Sequence, residues 1–415
     1  MTVAKYLERY SEPETDTHAL AGKKNRFSHC LVIPCRDESS ALLDRLQTRL
    51  KLSPKVLIIL VINQPESQAE RSQNAALANA ARSIKHPNIL LVDRFSEGLE
   101  IPVKQGVGLA RKIGCDIACR LIHQGIVTSP WIATSDADTF WPETYFSALD
   151  QYNKGSAIIF PFQHSPRPGI QGLPITLYEL SLRYYVAGLQ FAESPYAYHS
   201  IGSTLAIHHA HYAQVRGFPR RSGGEDFHIL NKLSKTGPII QLKEPHVIIA
   251  DRDSNRAPFG TGPAVSSIGD MDFPLQQYLF YQPECFSLLK HFLQVFPDIY
   301  AQKNPSSALD LLDRQLPANL MHSLIIGGLE KTLHHAFAHA KDKNTFERHM
   351  HNGFDALATL RLIHSMRDNG LKSVGFDDLI HQAKFQHLLQ TPESTEINRL
   401  IAQLELLADN IRILC

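Results

Sequence analysis

The sequence predicts an α/β fold in which a mostly parallel sheet precedes an all-helical C-terminal region. Three observations carry this: short apolar runs that end abruptly in polar residues, amphipathic helical stretches between them, and loss of the strand signal after about residue 270. Strands that are apolar throughout, rather than alternating, belong to sheets covered on both faces, and strand–helix–strand alternation makes such sheets parallel. The expected division is an N-terminal extension over 1–25, a sheet domain over 26–270 and a helical domain over 271–415.

The elements follow in order. His29–Pro34 is a short apolar run closed by proline, and Lys55–Ile62 is a longer one, Lys-Val-Leu-Ile-Ile-Leu-Val-Ile. Asn88–Val92, Trp131–Thr134, Ala157–Phe160 and Val247–Ala250 complete the predicted strands. Between them, Ser39–Leu50 places Leu42, Leu43, Leu46 and Leu50 on one helical face, and Gly106–His123 reads as a second helix. Beyond residue 270, breaks at Pro283, Pro297, Pro305, Pro317, Gly353, Gly370 and Pro392 separate helical stretches, the last spacing Ile397, Leu400, Ile401, Leu404, Leu407 and Ile411 at helical intervals.

Charge and cysteine usage narrow the function classes. The 415 residues hold 42 Lys and Arg against 41 Asp and Glu, a net charge of +1, so nucleic acid is not the expected partner. The six cysteines, Cys30, Cys35, Cys115, Cys119, Cys285 and Cys415, are scattered without a Cys-x-x-Cys pair and read as reduced thiols. Met1–Lys24 lacks the apolar centre of a secretory signal, and no run of about 18 apolar residues predicts a transmembrane segment. The expected location is cytoplasmic.

Four segments of the sheet domain carry chemistry. Pro34-Cys35-Arg36-Asp37-Glu38 places two acids just past a strand, where ligands of open α/β sheets bind; first-turn acids on a helix would look the same. Gly106-Val107-Gly108-Leu109-Ala110-Arg111-Lys112, with Lys104 upstream, opens a helix with glycines and positive charge, a weak phosphate-cradle signal. Ser135-Asp136-Ala137-Asp138-Thr139 follows a strand directly, and paired carboxylates there suit a hard divalent cation. Gly223-Gly224-Glu225-Asp226 brings an acidic pair to the start of a helix, either as a general base or as dipole-stabilising first-turn acids.

In this order and at these separations, the four segments resemble the GT-A glycosyltransferases, nucleotide-diphospho-sugar transferases with a Rossmann-like sheet, and more narrowly the family 2 members, over roughly residues 28–260. The resemblance implies an inverting, Mn²⁺- or Mg²⁺-dependent transfer from a UDP- or GDP-sugar to an acceptor hydroxyl of a glycan, lipid or small molecule. A lipid or surface acceptor would require peripheral membrane contact. By resemblance, Asp226 is the catalytic base with Glu225 beside it. Asp138 is the metal ligand, assisted by Asp136 and a late histidine, His246. The nucleotide-sugar meets Pro34, Asp37, Glu38, Lys104, Gly106, Arg111 and Asp136, and Arg252 and Arg256 neutralise the diphosphate. Where the family commonly ends its second strand in acids, this chain has Asn63, whose amide is the expected partner of the base.

Two other readings stay open at this level. Asp136-Ala137-Asp138-Thr139 also resembles the Asp-x-Asp-x-Thr signature of haloacid-dehalogenase-type phosphatases, with Gly269-Asp270-Met271-Asp272 as a late metal motif. A catalytically inactive nucleotide-binding relative is the other. His208, His209 and His211, and the set His334, His335, His339, His349 and His351, read as helix-surface histidines rather than ligands. Tyr178, Tyr184, Tyr185, Tyr196 and Tyr198 fit either packing or a sugar pocket.

Overall fold

In the computed structural model, residues 1–17, 27–251 and 260–414 are described, with side chains for 1–16, 27–251 and 260–409. They form two compact units: Met1–Ser165 with Ser200–Pro263, and Pro166–His199 with Ala264–Cys415. The second unit therefore takes in Pro166–His199, which lies within the 26–270 span expected for the sheet domain.

Among the described residues, the first unit is built on ten strands: β1 (His29–Cys35), β2 (Val56–Asn63), β3 (Ile89–Arg94), β4 (Trp131–Thr134), β5 (Thr139–Phe140), β6 (Ala157–Ile159), β7 (Phe162–Ser165), β8 (Leu205–His208), β9 (Ile239–Gln241) and β10 (Val247–Ala250). Seven make one sheet in the order β3-β2-β1-β4-β8-β6-β9, and β5-β10-β7 form a smaller one. In the large sheet β8 runs against all the others, pairing antiparallel with β4 and β6, while the remaining pairings are parallel. The α/β prediction thus holds at the level of a mostly parallel mixed sheet. The helices up to the site are α1 (Val3–Arg9), α2 (Glu14–Thr17), α3 (Ala41–Leu52), α4 (Ser72–Ile84), α5 (Gly106–His123), α6 (Tyr145–Leu149), α7 (Leu173–Phe191), α8 (His209–Gln214) and α9 (Glu225–Leu233), of which α7 belongs to the second unit.

The two-residue period of the strands explains the layers. Leu31, Ile33 and Cys35 of β1, with Ile58, Leu60 and Ile62 of β2, share one core with Leu42, Leu43, Leu46 and Leu50 of α3 and Leu77, Ala78 and Ala81 of α4. Val32 and Val61 face the other way, toward α5. There Gly114 brings the helix so close that a Cβ would stand 3.1 Å from a Val61 methyl and closer still to Val32. Both faces are covered, which is why β1 and β2 are buried along their whole length.

The chain leaves β1 toward β2 and β3, then returns through α5 to β4 on the opposite side of β1. The carboxyl ends of β1 and β4 therefore flank a topological switch point, the place where open α/β sheets bind ligands.

The second unit is helical. Leu177, Leu180, Tyr184 and Ala187 of α7 share a core with Phe286, Leu289 and Phe292 of helix Glu284–Gln294, with Leu324, Leu333 and Leu362, and with Leu400 and Leu404 of helix Ser394–Leu414. Tyr184 lies edge-on to Phe280 and Phe286, so this tyrosine packs inside the helical core. His334, His335 and His339 are exposed on helix Leu329–His339. Among the described residues, no helix is long and apolar enough to cross a membrane.

Candidate functional site

The site grows outward from one buried cation. Arg111 lies in the second turn of α5 with its side chain 2% exposed, at the carboxyl edge of the sheet. Its Nε donates to Oε1 of Glu225 at 3.1 Å, and one terminal nitrogen donates to Oδ1 of Asp136 at 2.7 Å. The other donates to the Thr134 hydroxyl at 2.5 Å and to the carbonyls of Gly202 at 3.2 Å and Ser135 at 3.4 Å. Burial opposes the charge, but Asp136 and Glu225 outweigh it and raise the guanidinium pKa above its ordinary value. One arginine thus ties the end of β4 to the segment before β8 and to the start of α9.

Asp226 sits beside this pair. Gly224, at φ 68° in the left-handed region, turns the chain so that α9 begins at Glu225. Glu225 is buried against Arg111, and Asp226 accepts a hydrogen bond from the Phe227 amide at 2.7 Å. Burial, then the neighbouring Glu225 charge, raise the Asp226 pKa from the usual carboxylate range to about 7, although the Phe227 amide and Arg111 pull it down. A carboxylate so poised is matched to proton transfer at neutral pH. Glu225 lies beside Asp226 as the counter-ion of Arg111.

The Asp136–Asp138 turn is braced from several sides. The Ser135 amide donates to the Val32 carbonyl at 3.0 Å, its hydroxyl to the Ser203 carbonyl at 3.2 Å, and the Trp141 indole donates to that hydroxyl at 2.8 Å. The Asp136 side chain keeps 38% exposure while sharing one oxygen with Arg111. The Asp138 carbonyl accepts from the Ala250 amide at 3.2 Å, continuing the antiparallel β5–β10 pairing. That pairing carries Asp251, just past β10, to the Asp138 end.

His246 lies at the opposite end of β10, four residues from Ala250, or about 13 Å along an extended strand. Its Nδ1 is 3.0 Å from Glu244 Oε2. The expected set of Asp138, Asp136 and His246 is therefore not assembled, because strand register separates the histidine from the acids. Among the described residues, no group of three or more His, Cys, Asp or Glu side chains is arranged to hold a metal. Asp136 and Asp138 carry hard oxygen donors, the donor type that Mg²⁺ and Mn²⁺ take when substrate phosphates complete the shell.

Around β1 two residues expected at the nucleotide have partners within the chain. Asp37 stands at φ 52°, and its carboxylate accepts from the Gln68 amide at 3.0 and 3.2 Å and from Asn74 at 3.2 Å. Its own N–H donates to Asn74 Oδ1 at 2.8 Å. Asp37 thus pins the 65–74 segment over the end of β1, where a nucleotide contact was expected of it. Asn63 donates its amide to the Cys35 and Val61 carbonyls at 2.9 and 3.1 Å, so the NH₂ group expected at the base ties β1 to β2 instead. Pro34 is buried within β1, and Glu38, just beyond it, is buried near the strand end.

The glycines of α5 also serve another partner. A Cβ on Gly106 would stand 2.7 Å from Ser222 Cα, and one on Gly108 would meet the Arg221 carbonyl at 2.6 Å. The Gly108 amide donates to that carbonyl at 2.9 Å. The glycines therefore admit the 219–222 loop, where phosphate was expected. Gly108→Ala should displace this loop, and with it Glu225 and Asp226, lowering stability by about 1–3 kcal/mol in chemical denaturation. Unchanged stability would show that the close approach is dispensable.

Lys104 is exposed in the loop before α5. Lys112 is buried, with Nζ 2.7 Å from Asp116 and 2.8 Å from the Tyr6 hydroxyl, away from any phosphate role. Arg252 and Arg256 lie outside the described residues. Arg111, expected to meet the nucleotide-sugar, lies buried at the centre of the acids, a placement that its sequence context did not specify. The five described cysteines are buried thiols. No protein-family model matches this sequence, and no curated protein is significantly similar to it.

Proposed function

We propose that the chain is a glycosyltransferase of the GT-A type that moves a sugar from a nucleoside-diphosphate sugar to an acceptor hydroxyl with inversion. The observation that supports this best is the gathering of Asp136, Glu225 and Asp226, from segments some 90 residues apart, around Arg111 at the switch point of the sheet. The nucleotide lies toward Glu38 and the diphosphate toward Asp136 and Asp138. Bound there, Mn²⁺ or Mg²⁺ would supply Lewis-acid neutralisation of the departing diphosphate.

The chain's own residues do the rest. Arg111 balances the charge of Asp136 and Glu225 and keeps both acids in place before substrate arrives. Asp226 takes the proton of the acceptor hydroxyl. As the acceptor oxygen bonds to the anomeric carbon, the bond from that carbon to the phosphate oxygen breaks, and the nucleoside diphosphate leaves with the electron pair. A phosphatase using Asp136 and Asp138 would leave Glu225 and Asp226 without a role, which disfavours it.

The reading is tested by a thermal-shift screen of UDP- and GDP-sugars with and without Mn²⁺. One donor should raise Tm by several degrees only when the metal is present, since a ligand at 100 times its Kd adds about 2.7 kcal/mol. Absence of such a shift for every nucleotide-sugar, with hydrolysis of simple phosphoesters, would replace this reading with the phosphatase one.

A further inference from the structure

The transfer reaction makes no use of the ionic network that joins the first seventeen residues to α5 and to the loop before α9. Asp116, with no exposed surface, accepts from the Tyr6 hydroxyl at 2.5 Å, the Tyr212 hydroxyl at 2.6 Å, Lys112 Nζ at 2.7 Å and the Glu12 amide at 2.8 Å. Glu12, its side chain 7% exposed, grips Arg220 with both oxygens, at 2.8 and 3.0 Å, and stands 3.5 Å from Lys112. The Arg216 guanidinium lies 4.7 Å from the centre of the Tyr10 ring. Gly217, at φ 69°, lets the Tyr6 hydroxyl approach to where a Cβ would collide with it.

The Arg216–Ser222 loop is thus held on one side by the N-terminal segment. On the other it is held by Gly106 and Gly108 of α5. Two residues further on come Gly224, Glu225 and Asp226. The two acids and two bases Glu12, Asp116, Lys112 and Arg220 balance in charge, so the cluster is a closed fastening rather than a place for another ion. A bidentate arginine–carboxylate pair fixes orientation as well as distance, which a single contact does not.

We infer that Glu12 is a positioning residue: through Arg220 it sets the Arg216–Ser222 loop, and through that loop the place of Glu225 and Asp226. The N-terminal segment is a built-in latch on the catalytic acids. The inference rests on the reading of Asp226 as the base, but its structural half is tested without any activity.

The test uses the intact chain and four variants: Glu12→Gln, Arg220→Met, their double and Arg220→Lys. Arg220 is half-exposed, so its replacement leaves no buried cavity. Amide exchange in peptides covering 216–227 should rise about tenfold in each single variant, and the double should show no more than either alone, as for two residues acting through one contact. With a donor that turns over, kcat should fall about tenfold with the donor KM unchanged, and Arg220→Lys should recover part of both losses. Faster exchange confined to α1, or a double variant showing the product of the single effects, overturns the latch. So does loosening of 216–227 that leaves kcat intact. If no nucleotide-sugar turns over at all, the transferase reading fails, while the exchange measurement still decides whether Glu12 holds the loop.

Discussion

Replacing Asp226 by Asn is expected to lower transfer by on the order of 10²–10⁴-fold while leaving the metal-dependent affinity for the nucleotide-sugar largely intact. Asn keeps the shape and retains an oxygen that accepts from the Phe227 amide, so the loss reports the missing base. In the native chain, kcat/KM should rise with pH as Asp226 loses its proton near pH 7 and level off above. Stability should move the other way. The folded pKa lies above that of the unfolded carboxylate, so between about pH 4 and 7 the folded state holds the extra proton. Ionisation of a half-buried group beside Glu225 then costs stability, up to a few kcal/mol, as pH climbs from about 4 to the folded pKa, and the loss levels off above it. Asp226→Asn should therefore be the more stable protein at pH 8.5, with the gap narrowed to about half at pH 5.5 and closed near pH 4. A flat activity profile between pH 6 and 8, or a variant less stable at both pH values, would take the base role away from Asp226.

This tension between stability and chemistry also explains what the sequence made legible. The strands His29–Cys35, Val56–Asn63, Trp131–Thr134 and Val247–Ala250 were readable because a run apolar on both faces has no other comfortable place in an α/β protein. The strands β5, β7, β8 and β9 were not, since each owes its extended form to its neighbours more than to its own sequence. β8 is the telling case: Leu205, Ala206 and Ile207 are a slight signal, yet they fill the centre of the sheet between β4 and β6.

The acids of the site were readable for a related reason. Asp136 follows a buried strand and Asp226 follows paired glycines, so local context alone marks them. Roles set by distant partners stayed hidden. Asp37 is claimed by Gln68 and Asn74, more than 30 residues away, and Asn63 turns its amide to Cys35. The helix face that meets the sheet decides that Arg111 is buried. The signal available was a helix apolar nearly all round, from Leu109 and Ala110 to Ile113 and Ile117, in which a cation needs a buried partner. For Leu173–Phe191, chain position suggested the sheet domain, while its packing against Phe286 and Leu404 assigns it to the helical unit.

Arg111→Met is expected to be the most destabilising single change in the first unit, by about 3–5 kcal/mol, because it strands the buried Glu225 carboxylate without its counter-ion. For a unit of this size that corresponds to a fall in Tm of roughly 10 °C. Arg111→Lys should fall between, since an ammonium keeps the charge but cannot reach Glu225, Asp136, Thr134 and Gly202 together as the planar guanidinium does. Glu225→Gln in the Arg111→Met background should recover part of the loss by removing the stranded charge, a non-additivity that a pair acting through contact requires. A Tm within about 2 °C of native for Arg111→Met would mean that Glu225 finds other relief. The arginine would then be a bystander to the acids rather than their common anchor. If the loss is large and the double variant recovers, the same measurement explains why the three acids can stand so close: one buried positive charge holds two of them, and the third responds by keeping its proton until pH approaches 7.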